Sequence, residues 1–157
     1  MKVFLGGTCN GSTWRDDLIK SLKIDYLNPV VEDWTPECKK EEIRQREECD
    51  FCLYVITPKM TGVYSIAEAV DDSNKRPEKT CVCILVCDGG ERFSNAQIQS
   101  MQQTLRLVAA NGAAVFCNLR DAASFLNSKA GQAIKVHDKS DNNDEGIGYW
   151  KQPLIHR

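Results

Sequence analysis

Short apolar runs bounded by glycine, proline or polar clusters alternate along this chain with longer stretches whose apolar residues recur every three or four positions. That pattern predicts strands alternating with helices, as in an α/β sandwich built on a parallel sheet. The first strand is Val3 to Leu5, stopped by Gly6-Gly7. Trp14, Leu18 and Leu22 then recur every four residues and predict the first helix, with Thr13 and Asp16 spaced as a capping box. A short second strand lies around Tyr26-Leu27. Thr35-Pro36 supplies an N-cap followed by the proline favoured at the first helical position, so the second helix runs to about Glu48. Its charges from Glu37 through Glu48 are mixed in sign and read as a solvated face. Phe51 to Thr57 and Cys81 to Cys87 are the two long apolar runs, apolar on both alternating faces, which suits strands in the middle of a parallel sheet. Between them Ile66 to Asn74 is helical until Pro77 breaks it. Asn95 to Ala110 is the clearest amphipathic helix, with Ile98, Met101, Leu105 and Val108 on one side and Asn111-Gly112 as its stop. Ala113 to Cys117 is a fifth strand and Asp121 to Lys129 a final helix.

The expected fold is therefore α/β: a five-stranded parallel doubly wound sheet, flavodoxin-like in the order 2-1-3-4-5, with helices on both faces. Neither an internal repeat nor a linker interrupts the alternation, so residues 1–157 are expected to form a single domain. Within it 138–157 is a C-terminal loop and docking tail, polar from Asp138 to Gly148 and then apolar at Tyr149, Trp150, Leu154 and Ile155.

Composition narrows the classes. Twenty Lys and Arg against 22 Asp and Glu leave a net charge of −2 with no basic block, which argues against a binder of nucleic-acid polymers. The apolar runs all fall short of the ~18–20 residues that span a bilayer. Met1 to Leu5 runs straight into Gly6-Gly7 instead of a signal-peptide core, so a soluble cytoplasmic protein without a membrane partner is expected. A reducing compartment makes the eight cysteines thiols, not bridges. Cys49-x-x-Cys52 has no second such pair at zinc-ribbon spacing and no histidine near it. These sulfurs therefore read as core filling, and neither metal nor cofactor is expected. The two histidines, His137 and His156, lie near the end of the sequence, which turns attention from histidine to carboxylate catalysis.

In a sheet of this order ligands bind outside the carboxyl ends of the strands, where strand order reverses. Two loops should meet there, Gly6 to Thr13 and Thr57 to Ser65. The first offers glycines for close backbone approach, hydroxyls and a helix N-terminus, a combination suited to a polar or anionic ligand. It has P-loop glycine spacing at Gly6 and Gly11, but Ser12 stands where the phosphate-binding lysine is required, and Gly-x-Gly-x-x-Gly is absent. The second loop leads into Tyr64-Ser65-Ile66-Ala67-Glu68. Glu68 is expected in the first turn of the third helix, where the dipole favours an ionised carboxylate. Such a carboxylate can attack an anomeric carbon and hold the sugar as an ester. Ser65-x-x-Glu68 is equally the spacing of a capping box, and spacing alone leaves both readings open. Asp88-Gly89-Gly90-Glu91 on the same rim reads as a turn, with a contact to a ribose hydroxyl as its alternative. Asp50 reads as a solvated helix-to-strand junction and Trp14 as core.

Three segments together resemble the nucleoside 2-deoxyribosyltransferase-like family. They are Val3-Phe4-Leu5-Gly6-Gly7-Thr8-Cys9-Asn10 with Trp14-Arg15, then Asn28-Pro29-Val30-Val31-Glu32-Asp33-Trp34-Thr35-Pro36-Glu37, and finally Tyr54 through Glu68. The resemblance implies the same five-stranded sheet and an enzyme that cleaves or exchanges the N-glycosidic bond of (deoxy)nucleosides. It implies Glu68 as the nucleophile of a two-step, retaining mechanism through a covalent glycosyl-glutamate. It also implies Gly6, Gly7 and Thr8 in the substrate pocket, beside Tyr64 and Ser65, with Asp33 and Trp34 within reach of the base. One departure is visible: characterised transferases carry an aspartate shortly before the glutamate, where this chain has Pro58-Lys59-Met60-Thr61. The implied partners are a small-molecule nucleoside or nucleotide and a free nucleobase. Relatives commonly assemble so that a neighbour completes the site, so a homo-oligomer, dimer or higher, is expected. The alternatives are an N-glycoside hydrolase, a catalytically silent nucleotide-binding domain, and a structural partner protein.

Overall fold

The central strands bury side chains on both of their faces, and this decides the layering. The computed structural model describes residues 1–31 and 35–135. In β1 (Lys2–Gly7), β3 (Phe51–Ile56) and β4 (Thr80–Ile84) every residue but Lys2 is buried. Phe4, Cys52, Tyr54, Val82 and Ile84 point to one core, closed by Ala69 of α3 (Tyr64–Lys75) and by Met101, Leu105 and Val108 of α4 (Asn95–Ala110). Val3, Leu5, Leu53, Val55, Cys81 and Cys83 point to the other. That core is closed by Trp14 and Leu18 of α1 (Trp14–Ile19) and by Ala122, Ala123 and Leu126 of α5 (Leu119–Lys135). Each fully buried Leu or Val contributes about 1.5–3 kcal/mol, so a strand apolar on both faces is held from two sides at once.

With β2 (Asp25–Leu27) and β7 (Ala114–Phe116) the sheet runs β2-β1-β3-β4-β7, all parallel. This is the expected doubly wound, flavodoxin-like α/β arrangement, and its order reverses between β1 and β3. The helix α2 (Pro36–Glu48) starts as its sequence predicts: Thr35 Oγ1 accepts from the Cys38 N–H at 3.3 Å, and Pro36 follows the cap.

Several boundaries differ from the expectation. The fourth strand stops at Ile84, not Cys87, because the Val86 carbonyl accepts from the Phe93 N–H at 3.1 Å and draws the chain out of the sheet. Cys87–Asp88 (β5) and Glu91–Arg92 (β6) then pair antiparallel, which makes Asp88-Gly89-Gly90-Glu91 the turn of a hairpin. The Thr13–Asp16 capping box does not form, since Thr13 makes no side-chain cap bond, and α1 ends at Ile19, before Leu22. The last helix begins at Leu119 because Asn118 bonds Asp121 in both directions, at 2.9 and 2.7 Å, and it continues to Lys135. Cys49, Cys52, Cys81 and Cys83 are buried, and burial pushes the thiols of Cys52, Cys81 and Cys83 up to about 12, which suits packing, not chemistry. The tail 138–157 and both histidines lie outside the described residues. Among the described residues no helix is long and apolar enough to cross a membrane.

Candidate active site

At the point of strand-order reversal β1 ends in two glycines because nothing larger fits. A Cβ on Gly6 would stand 2.9 Å from the Tyr54 ring; on Gly7, whose φ is +112°, it would stand 2.1 Å from the Val55 carbonyl oxygen. This closeness keeps β1 against β3 to its last residue, and the Thr8 N–H then donates to the Val55 carbonyl at 2.9 Å. Thr8 is turned inward. Its Oγ1 accepts from the Thr57 N–H at 3.0 Å, and its carbonyl accepts from Trp14 Nε1 at 2.8 Å and Arg15 Nη1 at 2.7 Å. Arg15, 5% exposed, also donates from Nε to the Leu5 carbonyl at 3.1 Å. Burial lowers the Arg15 pKa, with the neighbouring Cys9 thiol working against it. Trp14 and Arg15 therefore brace the glycine turn from inside the fold, and its outer side lines a cleft.

That open cleft, about 130 Å³ in volume, lies between Gly7, Thr8, Cys9 and Asn10 on one loop and Thr61, Gly62, Tyr64 and Ser65 on the other. Its rim is tied across. Asn10 Nδ2 donates to Thr61 Oγ1, Lys59 Nζ donates to the Gly11 carbonyl at 2.8 Å, and Ser12 Oγ donates to Asp88 Oδ2 at 2.5 Å. Asp88 thus fastens the hairpin to the glycine loop.

Glu68 departs from the expected placement. The helix α3 opens at Tyr64 with Val63 as its N-cap and no side-chain cap bond, so Ser65 already lies inside it and Glu68 falls in the second turn. The Ser65–Glu68 capping box is absent. Glu68 Oε1 instead accepts from Arg46 Nη1 at 2.6 Å. The charged run of α2 is accordingly not all solvated, since the Arg46 side chain is 9% exposed. Its other nitrogen, Nη2, donates to Asp72 Oδ1 at 2.8 Å, one turn along α3 from Glu68. Asp72, 1% exposed, also accepts from Arg76 Nη2 at 2.7 Å and from the Tyr54 hydroxyl.

Among the described residues, two arginines and two carboxylates thus balance in a half-dry layer between α2, α3 and β3. Burial works to lower the Arg46 pKa, but Tyr54, Asp72 and Glu68 outweigh it and raise it, so the guanidinium stays charged. Burial works to raise the Asp72 carboxyl, but the bonds from Tyr54, Arg76 and Arg46 outweigh it and hold it below its ordinary value. Burial and the bond to Asp72 push the Tyr54 phenol up.

Of the residues read from the sequence, Gly7, Thr8, Tyr64 and Ser65 line the cleft, and Gly6 lies behind it against Tyr54. Glu68 stands one helical turn beyond Tyr64 and Ser65, outside the lining itself. Asp33 and Trp34 lie outside the described residues. Arg46 and Asp72 escaped the sequence reading. A signal was present: Cys38, Glu42, Arg46 and Cys49 recur at helical spacing, and all four are buried or partly buried. A buried cation on such a stripe implies a buried anion opposite it.

No curated protein and no solved structure matches the chain. The sequence model of the family described as nucleoside 2-deoxyribosyltransferase like matches residues 1–85, which span β1 to β4, the glycine loop, the cleft and the Arg46–Glu68 pair. On this match over more than half of its length, the chain belongs to the nucleoside 2-deoxyribosyltransferase-like family.

Proposed function

We propose that the protein is an N-glycosidic enzyme that cleaves or exchanges the base of (deoxy)nucleosides, with Glu68 as its nucleophile. Family membership supports glycosyltransferase-type chemistry on nucleosides. One observation carries the assignment of Glu68: its carboxylate, one turn behind the cleft residues Tyr64 and Ser65, is held at 2.6 Å by a guanidinium. A guanidinium partner favours the charged form of a carboxylate, the form a displacement requires. In the first step a Glu68 oxygen bonds to C1′ as the C1′–N bond breaks; its electron pair leaves on the base, which takes a proton from water. In the second step a new base or water bonds to C1′, the ester pair returns to Glu68, and the acceptor's proton passes to solvent. Two inversions give net retention. The cleft lining offers the hydroxyl groups of Thr61 and Ser65 to orient the sugar. No metal or cofactor enters these steps.

The test is to incubate the protein with 2′-deoxyinosine and adenine, and with 2′-deoxyuridine and thymine, and to look for exchanged nucleosides and released bases. Exchange lost in Glu68→Gln supports a transferase. Base release without exchange, lost in the same variant, moves the activity to hydrolysis. A second reading, nucleoside binding without turnover, is favoured by the fact that the cleft lining stops at Ser65 and does not include Glu68. Calorimetric binding of the same nucleosides with neither product would select it.

A further inference from the structure

We propose that Arg46 is a positioning residue for Glu68: its guanidinium fixes one carboxylate oxygen for attack on C1′ and stabilises the carboxylate that the second step releases. This rests on the reading of Glu68 as nucleophile.

The fork geometry carries the inference. Arg46 uses its two terminal nitrogens on two carboxylates of one helix, Nη1 on Glu68 at 2.6 Å and Nη2 on Asp72 at 2.8 Å. Asp72 is itself fixed from two further directions, by Arg76 and by the Tyr54 hydroxyl. The planar guanidinium is therefore oriented before it meets Glu68, and Glu68 inherits that orientation. A pair formed only to join α2 to α3 would need no such backing, because Arg46–Asp72 already joins them.

The charge count points the same way. Among the described residues, Arg46 and Arg76 balance Glu68 and Asp72 in the resting protein. When Glu68 becomes an uncharged ester, Arg46 keeps Asp72 as counter-ion but shares it with Arg76, so the layer carries one excess positive charge. Return of the electron pair to Glu68 restores the balance, which favours breakdown of the ester. Arg46 thus moderates Glu68 as a nucleophile and improves it as a leaving group.

The experiment uses the full chain with Arg46→Met, Arg46→Lys, Arg76→Met and Glu68→Gln, following exchange and base release and weighing the intact protein during turnover. Arg46→Met is expected to lower kcat roughly ten- to hundredfold, to lower KM with it, and to accumulate protein heavier by one deoxyribosyl group at Glu68. Arg46→Lys should restore part of kcat, because it returns the charge without the fork. Arg76→Met touches Asp72 but not Glu68; it should lose stability and, because it removes the excess charge but keeps the guanidinium on Glu68, accumulate less adduct than Arg46→Met. If Arg46→Met does not fold, Arg46→Lys alone carries the test through its adduct level. Turnover in the wild type that is abolished in Glu68→Gln but kept in both Arg46 variants, or a lowered kcat without adduct, overturns the role of Arg46 and leaves the nucleophile standing. A wild-type protein that neither exchanges nor releases base overturns the Glu68 reading, and the role of Arg46 with it.

Discussion

Lys59 donates from Nζ to the Gly11 carbonyl at 2.8 Å, and this bond ties the loop after β3 to the loop after β1 across the mouth of the cleft. Asp88 stands 3.9 Å from the same ammonium, so the hairpin shares the clasp. The tie is expected to bear on the width of the opening more than on the stability of the fold.

Lys59→Met is accordingly expected to cost no more than about 1 kcal/mol, the net worth of one hydrogen bond. Its main effect falls on the loops. Backbone amides at 9–13 should exchange with deuterium faster, and KM for nucleoside should rise while kcat changes less. Unchanged exchange in those amides would show that the remaining ties, Asn10–Thr61 and Ser12–Asp88, suffice.

Gly7→Ala should be among the most damaging single-methyl additions in the chain. The new Cβ would sit 2.1 Å from the Val55 carbonyl oxygen at a φ of +112°. Neither the backbone of β3 nor that dihedral can give, and about 3–5 kcal/mol of stability should be lost. Gly62→Ala, on the opposite lip, meets nothing within 4 Å and has no such φ. Urea denaturation of the two variants should separate them clearly; equal midpoints would mean that β1 and β3 are farther apart than described.

How much of this was legible beforehand depends on range. The strands followed from local pattern, because those such as Phe51–Ile56 are apolar on both faces and need no partner to be recognised, and their order followed from the flavodoxin-like arrangement that strand–helix alternation suggests. The glycine turn and its cleft followed from strand order. Element ends were less legible where a bond from outside the element decides them, as the Val86–Phe93 contact does for the end of the fourth strand. The Arg46–Glu68–Asp72 layer was not read at all. Its members are 22 and 26 residues apart, and a charged residue in a charged run looks solvated until its partner on another helix is known. Ser65-x-x-Glu68, which spacing left open between a cap and a catalytic carboxylate, does not cap: α3 opens at Tyr64, and Glu68 meets Arg46 across the fold.

Thiol titration checks the layering independently. Cys9, Cys87 and Cys117 are exposed, whereas Cys49, Cys52, Cys81 and Cys83 are buried. An aromatic disulfide reagent should modify the exposed sulfurs of the native protein within minutes and the buried four only on unfolding. If nucleoside occupies the cleft, saturating 2′-deoxyinosine should slow modification of Cys9, which lines it, and leave Cys87 unaffected.

The last prediction concerns acid. Asp72 is 1% exposed and accepts from Tyr54, Arg76 and Arg46, which together hold its carboxyl below the ordinary value although burial alone would raise it. In the unfolded chain an aspartate titrates at about 3.9. Because its folded pKa is the lower, its contribution is complete above the unfolded value and is lost as the pH falls through the folded one. Wild-type stability should therefore drop below about pH 4 with a component that Asp72→Asn lacks. At neutral pH Asp72→Asn should itself cost about 3–5 kcal/mol, since two guanidiniums lose their shared anion. The discriminating measurement is the urea midpoint of both proteins between about pH 2 and 7. The two curves should converge toward acid; parallel curves would mean that Asp72 is not the anion that holds Arg46 in place.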